Sequence, residues 1–225
     1  MNSRIDRPSV IVSVAITLDG YTGTIDQGSL RISSERDLAE VHRLRARSDA
    51  ILVGAETLRA DDCRLTVRYG QAGSAKPMRI TLTRSGRLDF SARFFALDGA
   101  KKIIFCPKSI QSALQEQLPA QSILVAFDGD SCSLSHLMET LKDFGVKDLM
   151  IEGGASVISQ FLHQKLVDRV RIAISPQIVG SAGKNRLFDA APTTGQSGTN
   201  WQFVSVEHFD ETVVISYEIK NAAKY

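Results

Sequence analysis

The chain has 225 residues, which at roughly 150 residues per domain is enough for one large domain or two small ones. Its composition, 43% hydrophobic and 23% charged, is typical of a soluble globular protein and excludes extensive disorder. The 27 basic and 25 acidic residues give a net charge of +2, which argues against a nucleic-acid-binding protein.

Targeting, membrane and metal signals are missing from the sequence. Apolar runs such as Val10–Val12 are far shorter than the roughly 18 residues of a membrane helix. The first residues lack the apolar segment of a signal peptide, which predicts a cytoplasmic location and no membrane partner. Three scattered cysteines without a C-x-x-C pair argue against a disulfide framework and a structural zinc site, and no metal ligands are predicted.

Short β-rich runs alternate with helical patterns along most of the chain. The predicted strands are Val10–Ile16, Ala50–Val53, Met78–Thr83, Lys102–Phe105, Ile123–Phe127, Asp148–Ile151 and Val167–Ile174. The predicted helices are Ser34–Arg47, Ser109–Gln117, Leu134–Phe144 and Ala155–Lys165. This alternation predicts an α/β fold with a mostly parallel sheet and helices on both of its faces.

The end of the chain departs from this alternation. Phe203–Phe209 and Thr212–Ile219 flank Asp210-Glu211 and predict an antiparallel hairpin, so we expect a mixed sheet. The glycine-containing segment 195–198 is interpreted as an exposed loop rather than a domain boundary. With no internal repeat and no proline-rich linker, residues 1–225 are predicted to form a single domain.

The predicted helix Ser34–Arg47 contains the first candidate site residue. Ser34 followed by Asp37 resembles a capping box, which marks a helix start. The apolar residues recur at helical spacing and form one stripe: Leu38, Val41 and Leu44. Arg45 falls within the arc of this stripe, where a permanently charged guanidinium needs an anionic partner or a path to solvent. Two interpretations of Arg45 are open: it forms a structural ion pair, or it contacts a phosphate or carboxylate of the substrate.

Polar residues follow the predicted strand that ends near Gly54. Thr57 and Asp61 come after it at near-helical spacing, and strand ends in α/β sheets open onto the ligand crevice. The pair Asp61 and Asp62 is also a common turn cap, and because adjacent carboxylates point to different faces we predict no metal dyad. Arg68 is a second candidate anion ligand.

A glycine pair connects the apolar strand near Ile151 to the next predicted helix. Glycines allow a ligand to approach the backbone, and a helix start offers N–H groups to a pyrophosphate. The segment is not G-x-G-x-x-G, and a tight strand-to-helix connection also explains Gly153-Gly154. Glu152 stands at the carboxyl end of this strand. Isolated histidines are assigned to surface or helix positions: His42, His136, His163 and His208.

Several motifs occur in order and at a characteristic spacing. They are T-L-D-G (Thr17–Gly20), S-x-R-I-S (Ser29–Ser33), V-H-x-L-R-A (Val41–Ala46), D-A-I-L-V-G-x-x-T-x-x-x-D-D-x-x-L-T-x-R (Asp49–Arg68) and E-G-G (Glu152–Gly154). From about Val10 to about Phe188 the chain resembles the riboflavin-biosynthesis pyrimidine reductases, the reductase domain of the bacterial bifunctional deaminase–reductase and its stand-alone archaeal and fungal relatives. The resemblance implies a dihydrofolate-reductase-like fold, NADPH as cofactor and a homodimer.

The resemblance also implies an activity and a set of site residues. The family reduces the ribosyl group of a ribosylaminopyrimidine 5′-phosphate to ribityl by hydride transfer from NADPH, so the protein's main task is alignment, and no general acid is assigned. The implied substrate contacts are Ser29, Arg45, Leu65, Arg68 and Glu152. The implied cofactor contacts are Ala15, Arg31, Thr57, Asp61, Gly153, Gly154, Ala155, Ser156 and Val157.

Two positions depart from the family pattern. Arg31 replaces an aromatic residue of many bacterial members, as in the stand-alone type, and Cys63 replaces the usual proline. The sequence has no H-x-E and P-C-x-x-C deaminase motif, which leaves open whether the substrate is the diamino or the deaminated pyrimidine. A same-fold reductase of a pterin or secondary metabolite is the first alternative, and a non-catalytic dinucleotide-binding module is the second. Intact Arg45 and Arg68 disfavour the first alternative. A binding module would combine the E-G-G loop with degraded substrate motifs, which this sequence does not show.

Overall fold

The computed structural model describes residues 7–25, 32–68, 76–129, 132–187 and 201–219. Its strands are β1 (Ser9–Thr17), β2 (Tyr21–Thr24), β3 (Ala50–Gly54), β4 (Met78–Leu82), β5 (Lys102–Pro107), β6 (Ser122–Phe127), β7 (Asp148–Gly153), β8 (Arg169–Ser175), β9 (Gly183–Arg186), β10 (Trp201–Phe209) and β11 (Thr212–Ile219). Its helices are α1 (Glu35–Arg47), α2 (Ala55–Asp61), α3 (Lys108–Gln115), α4 (Leu134–Asp143) and α5 (Ala155–His163). None of the helices in these ranges is long and apolar enough to cross a membrane.

The chain divides into two compact units. The first comprises Met1–Ser9 and His42–Met150, and the second comprises Val10–Val41 and Ile151–Tyr225. The single domain predicted from the sequence therefore stays a prediction.

The first unit is built on parallel strands in the order β3-β4-β5-β6. Every residue of β3 and β5 is buried, as expected of parallel strands covered on both faces. Helix α4 buries residues at helical spacing: Leu134, Leu137, Met138 and Leu141. These elements confirm the predicted alternation of strands and helices in this part of the chain.

The second unit contains β10, β11, β8 and β1 as neighbours in that order, followed by the end of β7 from Ile151 onwards. Strands β1 and β8 are parallel, whereas β11 is antiparallel to both β8 and β10. The turn at Asp210-Glu211 joins Phe209 to Thr212 in register, so the predicted hairpin and the mixed character of the strands are confirmed.

Helix α1 starts as predicted, but its buried face differs from the prediction. The Ser34 hydroxyl accepts the Asp37 N–H at 3.2 Å and so caps the helix start. The apolar stripe of Leu38, Val41 and Leu44 is only half-buried. The buried side chains of α1 are instead Asp37 and His42. Asp37 tolerates burial because its carboxylate is 2.5 Å from the guanidinium of Arg171 in β8.

Three short elements were missing from the sequence prediction: α2, β2 and β9. Helix α2 has seven residues and buries only Ala55 and Leu58, which is too little to show helical periodicity. Strands β2 and β9 pair with each other over four residues each. A Cβ at Gly183 would lie 2.4 Å from the Tyr21 ring, so this pairing requires glycine there.

Candidate functional site

The residues predicted to form the site fall into two sets, one in each unit. Arg45, Thr57, Asp61, Leu65 and Arg68 belong to the first unit. The second unit holds the other described members of the set: Ala15, Glu152, Gly153, Gly154, Ala155, Ser156 and Val157. Ser29 and Arg31 lie outside the described residues.

Helix α2 places two candidate residues directly after the carboxyl end of β3. Thr57 and Asp61 are four residues apart, so they share one face of the helix. Asp61 is an exposed residue. Neighbouring atoms still desolvate its carboxyl group in part, and this raises the pKa of that group. A hydroxyl and a carboxyl group are thus presented together at the end of a buried strand.

The neighbouring aspartate has a structural role. Asp62 follows α2 in the left-handed conformation, with φ of 42°. Its carboxylate accepts the backbone N–H and the Nε–H of Arg93, both at 2.8 Å. Of the two interpretations of the Asp61-Asp62 pair, the turn cap therefore applies to Asp62, while Asp61 remains a candidate ligand contact.

The segment from Leu65 to Arg68 is hydrogen-bonded to the end of α1. Arg45 donates from Nη1 to the Thr66 carbonyl at 3.1 Å, and the Arg68 N–H donates to Nδ1 of His42 at 3.2 Å. The Leu65 side chain is buried, and its backbone has a positive φ of 50°. The structure thus brings together three predicted substrate contacts, Arg45, Leu65 and Arg68, within the first unit.

An open cleft of about 260 Å³ lies beside this segment in the first unit. Leu65 and Thr66 contribute to its wall. Four of its lining side chains are basic, and one is acidic: Arg64, Arg68, Lys76 and Arg79 against Asp98. Arg79 is buried and paired with Asp98, so the basic excess of the cleft comes from Arg64, Arg68 and Lys76, and this excess attracts anions.

Two of the lining residues, Arg79 and Asp98, belong to a cluster of charged side chains that also includes Lys102. Arg79 forms a salt bridge with Asp98 and donates to the Phe94 carbonyl at 2.8 Å. Lys102 is fully buried and donates to the Ala96 carbonyl at 2.6 Å. Burial raises the pKa of Asp98, but the hydrogen bond and charge of Arg79 outweigh it and hold that pKa below its usual value. Burial and the nearby Arg79 charge lower the pKa of Lys102.

The second set centres on the connection between β7 and α5. Glu152 is half-buried near the end of β7, and Gly153 has φ of 147°, which L side chains rarely adopt. Gly154 is the N-cap residue of α5, and as a glycine it has no side chain that could accept a hydrogen bond from the first N–H groups of the helix. The first intrahelical bonds run from later N–H groups to the Gly154 carbonyl, so the N–H groups of Ala155 and Ser156 precede them. This helix start fits the pyrophosphate of a dinucleotide, as its positive dipole end favours an anion.

Strand β1 neighbours β7 in the second unit and carries Ala15 near its end. The T-L-D-G motif that follows forms a turn. Asp19 accepts the Thr17 hydroxyl at 2.6 Å and the Gly180 N–H at 2.8 Å. These bonds, that of Thr17 above all, lower the pKa of Asp19. We conclude that this motif supports the turn after β1.

Sequence reasoning did not identify His42 as part of this arrangement. The sequence predicts a surface or helix position for this histidine, and it does lie on a helix but is buried. Its spacing of three residues from Arg45 was the available signal, because such residues share a helix face. The cluster of Arg79, Asp98 and Lys102 had no comparable signal, since Arg79 is 19 residues from Asp98 and no helical or strand spacing relates the two.

Comparison with known proteins gives consistent matches. Residues 8–215 match the family model described as RibD C-terminal domain. The chain is 36% identical over 191 residues to the 2,5-diamino-6-ribosylamino-4(3H)-pyrimidinone 5′-phosphate reductase of Archaeoglobus fulgidus, covering 81% of this chain and 87% of the relative. It is 38% identical to the reductase of the same name from Methanothermobacter thermautotrophicus over 184 residues, covering 81% and 84%.

Solved structures agree with these matches. RibD of Acinetobacter baumannii superposes with a TM-score of 0.80 at 26% identity, covering 95% of this chain and 58% of that longer chain. A pyrimidine reductase-like protein from Corynebacterium diphtheriae has a TM-score of 0.79 at 22% identity, covering 95% and 92%, and this likeness concerns the fold alone. The expected dihydrofolate-reductase-like fold is confirmed. The chain belongs to the RibD C-terminal domain family, as its ordered motifs predicted.

Proposed function

We propose that this protein reduces the ribosyl group of a ribosylaminopyrimidine 5′-phosphate to ribityl in riboflavin biosynthesis, with NADPH as the cofactor. Named relatives at 36% and 38% identity are reductases of such a phosphate. The observation that carries the proposal is the basic cleft of the first unit. Arg68 and Leu65, two substrate contacts implied by the motifs, line that cleft together with the basic side chains of Arg64 and Lys76.

The first unit would bind the phosphorylated part of the substrate. Arg68 has an exposed side chain in the cleft, and Arg45 reaches the same segment through the Thr66 carbonyl. A charge-assisted hydrogen bond to a phosphate contributes about 1.5–3 kcal/mol. Buried Leu65 supplies an apolar wall beside these charges. Ser29 and Glu152 complete the proposed substrate contacts.

The second unit supplies groups that suit the cofactor. NADPH, when bound, provides the hydride for C1′ of the opened sugar. The N–H groups at the start of α5 would hold its pyrophosphate, and Gly153 and Gly154 leave the backbone accessible. These residues would bind the cofactor and orient it toward the substrate, and this alignment is what the reaction requires of the protein. Ala15, Arg31, Thr57 and Asp61 are the remaining proposed cofactor contacts.

The preference for NADPH over NADH rests on two arginines after β4. Arg84 and Arg87 are both exposed, on either side of a turn in which Gly86 has φ of 69°. Arg87 donates from Nε to the Ser85 hydroxyl at 3.4 Å, which holds its guanidinium beside the turn. Guanidinium groups bind phosphates well, and we propose that this turn recognises the 2′-phosphate.

The C-terminal hairpin of β10 and β11 offers a surface for association with a second copy of the chain. Strands β10 and β11 expose apolar side chains: Phe203 at 56%, Val204 at 51%, Val206 at 60% and Val213 at 40%. Isologous pairing is the commonest way to bury such a surface, so we propose a homodimer.

The family match over residues 8–215 includes most of both units, which supports a single reductase domain. A cytoplasmic location accords with this biosynthetic role.

An NADPH-consumption assay with two substrates tests the proposed function. Purified protein is incubated with the diamino and, separately, the deaminated ribosylaminopyrimidine phosphate, and loss of reduced nicotinamide is followed by absorbance. We expect turnover of at least one of them and formation of the ribityl product by mass spectrometry. Turnover of a pterin with neither phosphate reduced would favour the alternative reductase, and cofactor binding without any turnover would favour a binding module.

A further inference from the structure

A histidine outside the proposed binding set contacts that set directly. His42 is 5% exposed, and its Nδ1 accepts the backbone N–H of Arg68 at 3.2 Å. One turn further along α1, Arg45 donates to the Thr66 carbonyl at 3.1 Å. The end of α1 therefore holds a donor and an acceptor of the same short segment of backbone.

These two bonds matter because the segment has no regular secondary structure. Residues 62–68 belong to no helix or strand. The Arg68 side chain is exposed, and its Nε lies 3.4 Å from the Thr66 hydroxyl. The Arg68 side chain therefore leaves a backbone segment, residues 66–68, that is hydrogen-bonded to α1 at both of its ends.

We propose that His42 is a positioning residue of the reductase. Its Nδ1 fixes the Arg68 backbone so that the guanidinium enters the basic cleft ready to meet the phosphate of the substrate. This role requires a lone pair on Nδ1, so the ring proton is on Nε2. The proposal rests on the proposed function, since Arg68 binds substrate only if the substrate is an anion of this kind.

Two amide variants separate this role from a merely structural one. In His42→Asn the side-chain oxygen reaches the place of Nδ1, whereas in His42→Gln the amide reaches the place of Nε2. Both variants carry the same polar group, and only the first retains an acceptor for Arg68. His42→Leu, which removes every acceptor, is a second loss variant.

The expected result is a selective change in KM. A neutral hydrogen bond corresponds to a factor of about two to ten in affinity. We expect His42→Gln and His42→Leu to raise KM for the phosphorylated pyrimidine by about that factor, with kcat and the KM for NADPH unchanged. His42→Asn should remain within about twofold of the wild type, because a single retained acceptor preserves most of the bond.

A second measurement makes the outcome independent of turnover. Amide hydrogen exchange at Arg68 in the substrate-free protein should accelerate in His42→Gln and stay near the wild-type rate in His42→Asn. Unchanged exchange or an unchanged KM in His42→Gln overturns the positioning role, as does an equal loss of kcat, cofactor affinity and thermal stability in both amide variants. A wild-type protein that reduces neither phosphate refutes the proposed function, and the exchange rates then show on their own whether His42 holds Arg68.

Discussion

Replacing Arg45 with Met tests whether this arginine binds substrate or only supports the fold. Methionine keeps much of the apolar stem of the half-buried side chain and deletes the guanidinium. The structure shows that the guanidinium donates to the Thr66 carbonyl at 3.1 Å. Arg47, exposed two residues later on the same helix, provides a matched control in Arg47→Met, which removes the same charge.

The two roles predict effects of different size. Arg45 and Thr66 are both half-buried, so water replaces part of the lost hydrogen bond and we expect a cost of about 1 kcal/mol in the free energy of unfolding. For a domain of this size that lowers Tm by about 2–4 °C. A lost charge-assisted bond to a phosphate costs about 1.5–3 kcal/mol, which is roughly ten- to a hundredfold in kcat/KM.

Thermal unfolding and steady-state kinetics are therefore measured on the same preparations. We expect Arg45→Met to bind NADPH normally, to lose little stability and to lose about ten- to a hundredfold in kcat/KM for the phosphorylated substrate, while Arg47→Met matches the wild type. A fall in Tm of about 10 °C, equivalent to roughly 3 kcal/mol or more, with unchanged kcat/KM would show that Arg45 is a structural residue.

Three other predictions concern stability, cofactor choice and association. Arg171→Met leaves the Asp37 carboxylate buried without its ion-pair partner and should cost about 3–5 kcal/mol in chemical denaturation; the additional change Asp37→Leu should recover most of it, and no recovery would contradict a pairwise origin. Replacing Arg84 and Arg87 together with Ala should weaken NADPH more than NADH in a comparison of kcat/KM, and an equal loss for both cofactors would exclude recognition of the 2′-phosphate. Val206→Lys should convert a dimer to monomer in light scattering at micromolar concentration, whereas a wild-type monomer would refute the proposed association.

Local patterns in the sequence were sufficient for most of the secondary structure and for the family. The strands with continuous apolar runs, such as β3 and β5, begin at the predicted residues Ala50 and Lys102. The start of α1 was predictable because the Ser34 cap bonds only three residues along the chain. The family followed from motifs whose order and spacing are properties of the linear chain, and the match over residues 8–215 confirms it.

The roles of individual polar residues depended on contacts between distant parts of the chain. Asp37 is buried because it forms an ion pair with Arg171, which is 134 residues further along the sequence. The pattern of residues in α1 alone gives no indication of this partner. His42 accepts from a backbone group 26 residues away, so its isolation in the sequence was misleading. Helical periodicity reports which face of an element is apolar, but a polar side chain is buried only where a specific donor or acceptor meets it. That partner is supplied by the tertiary fold.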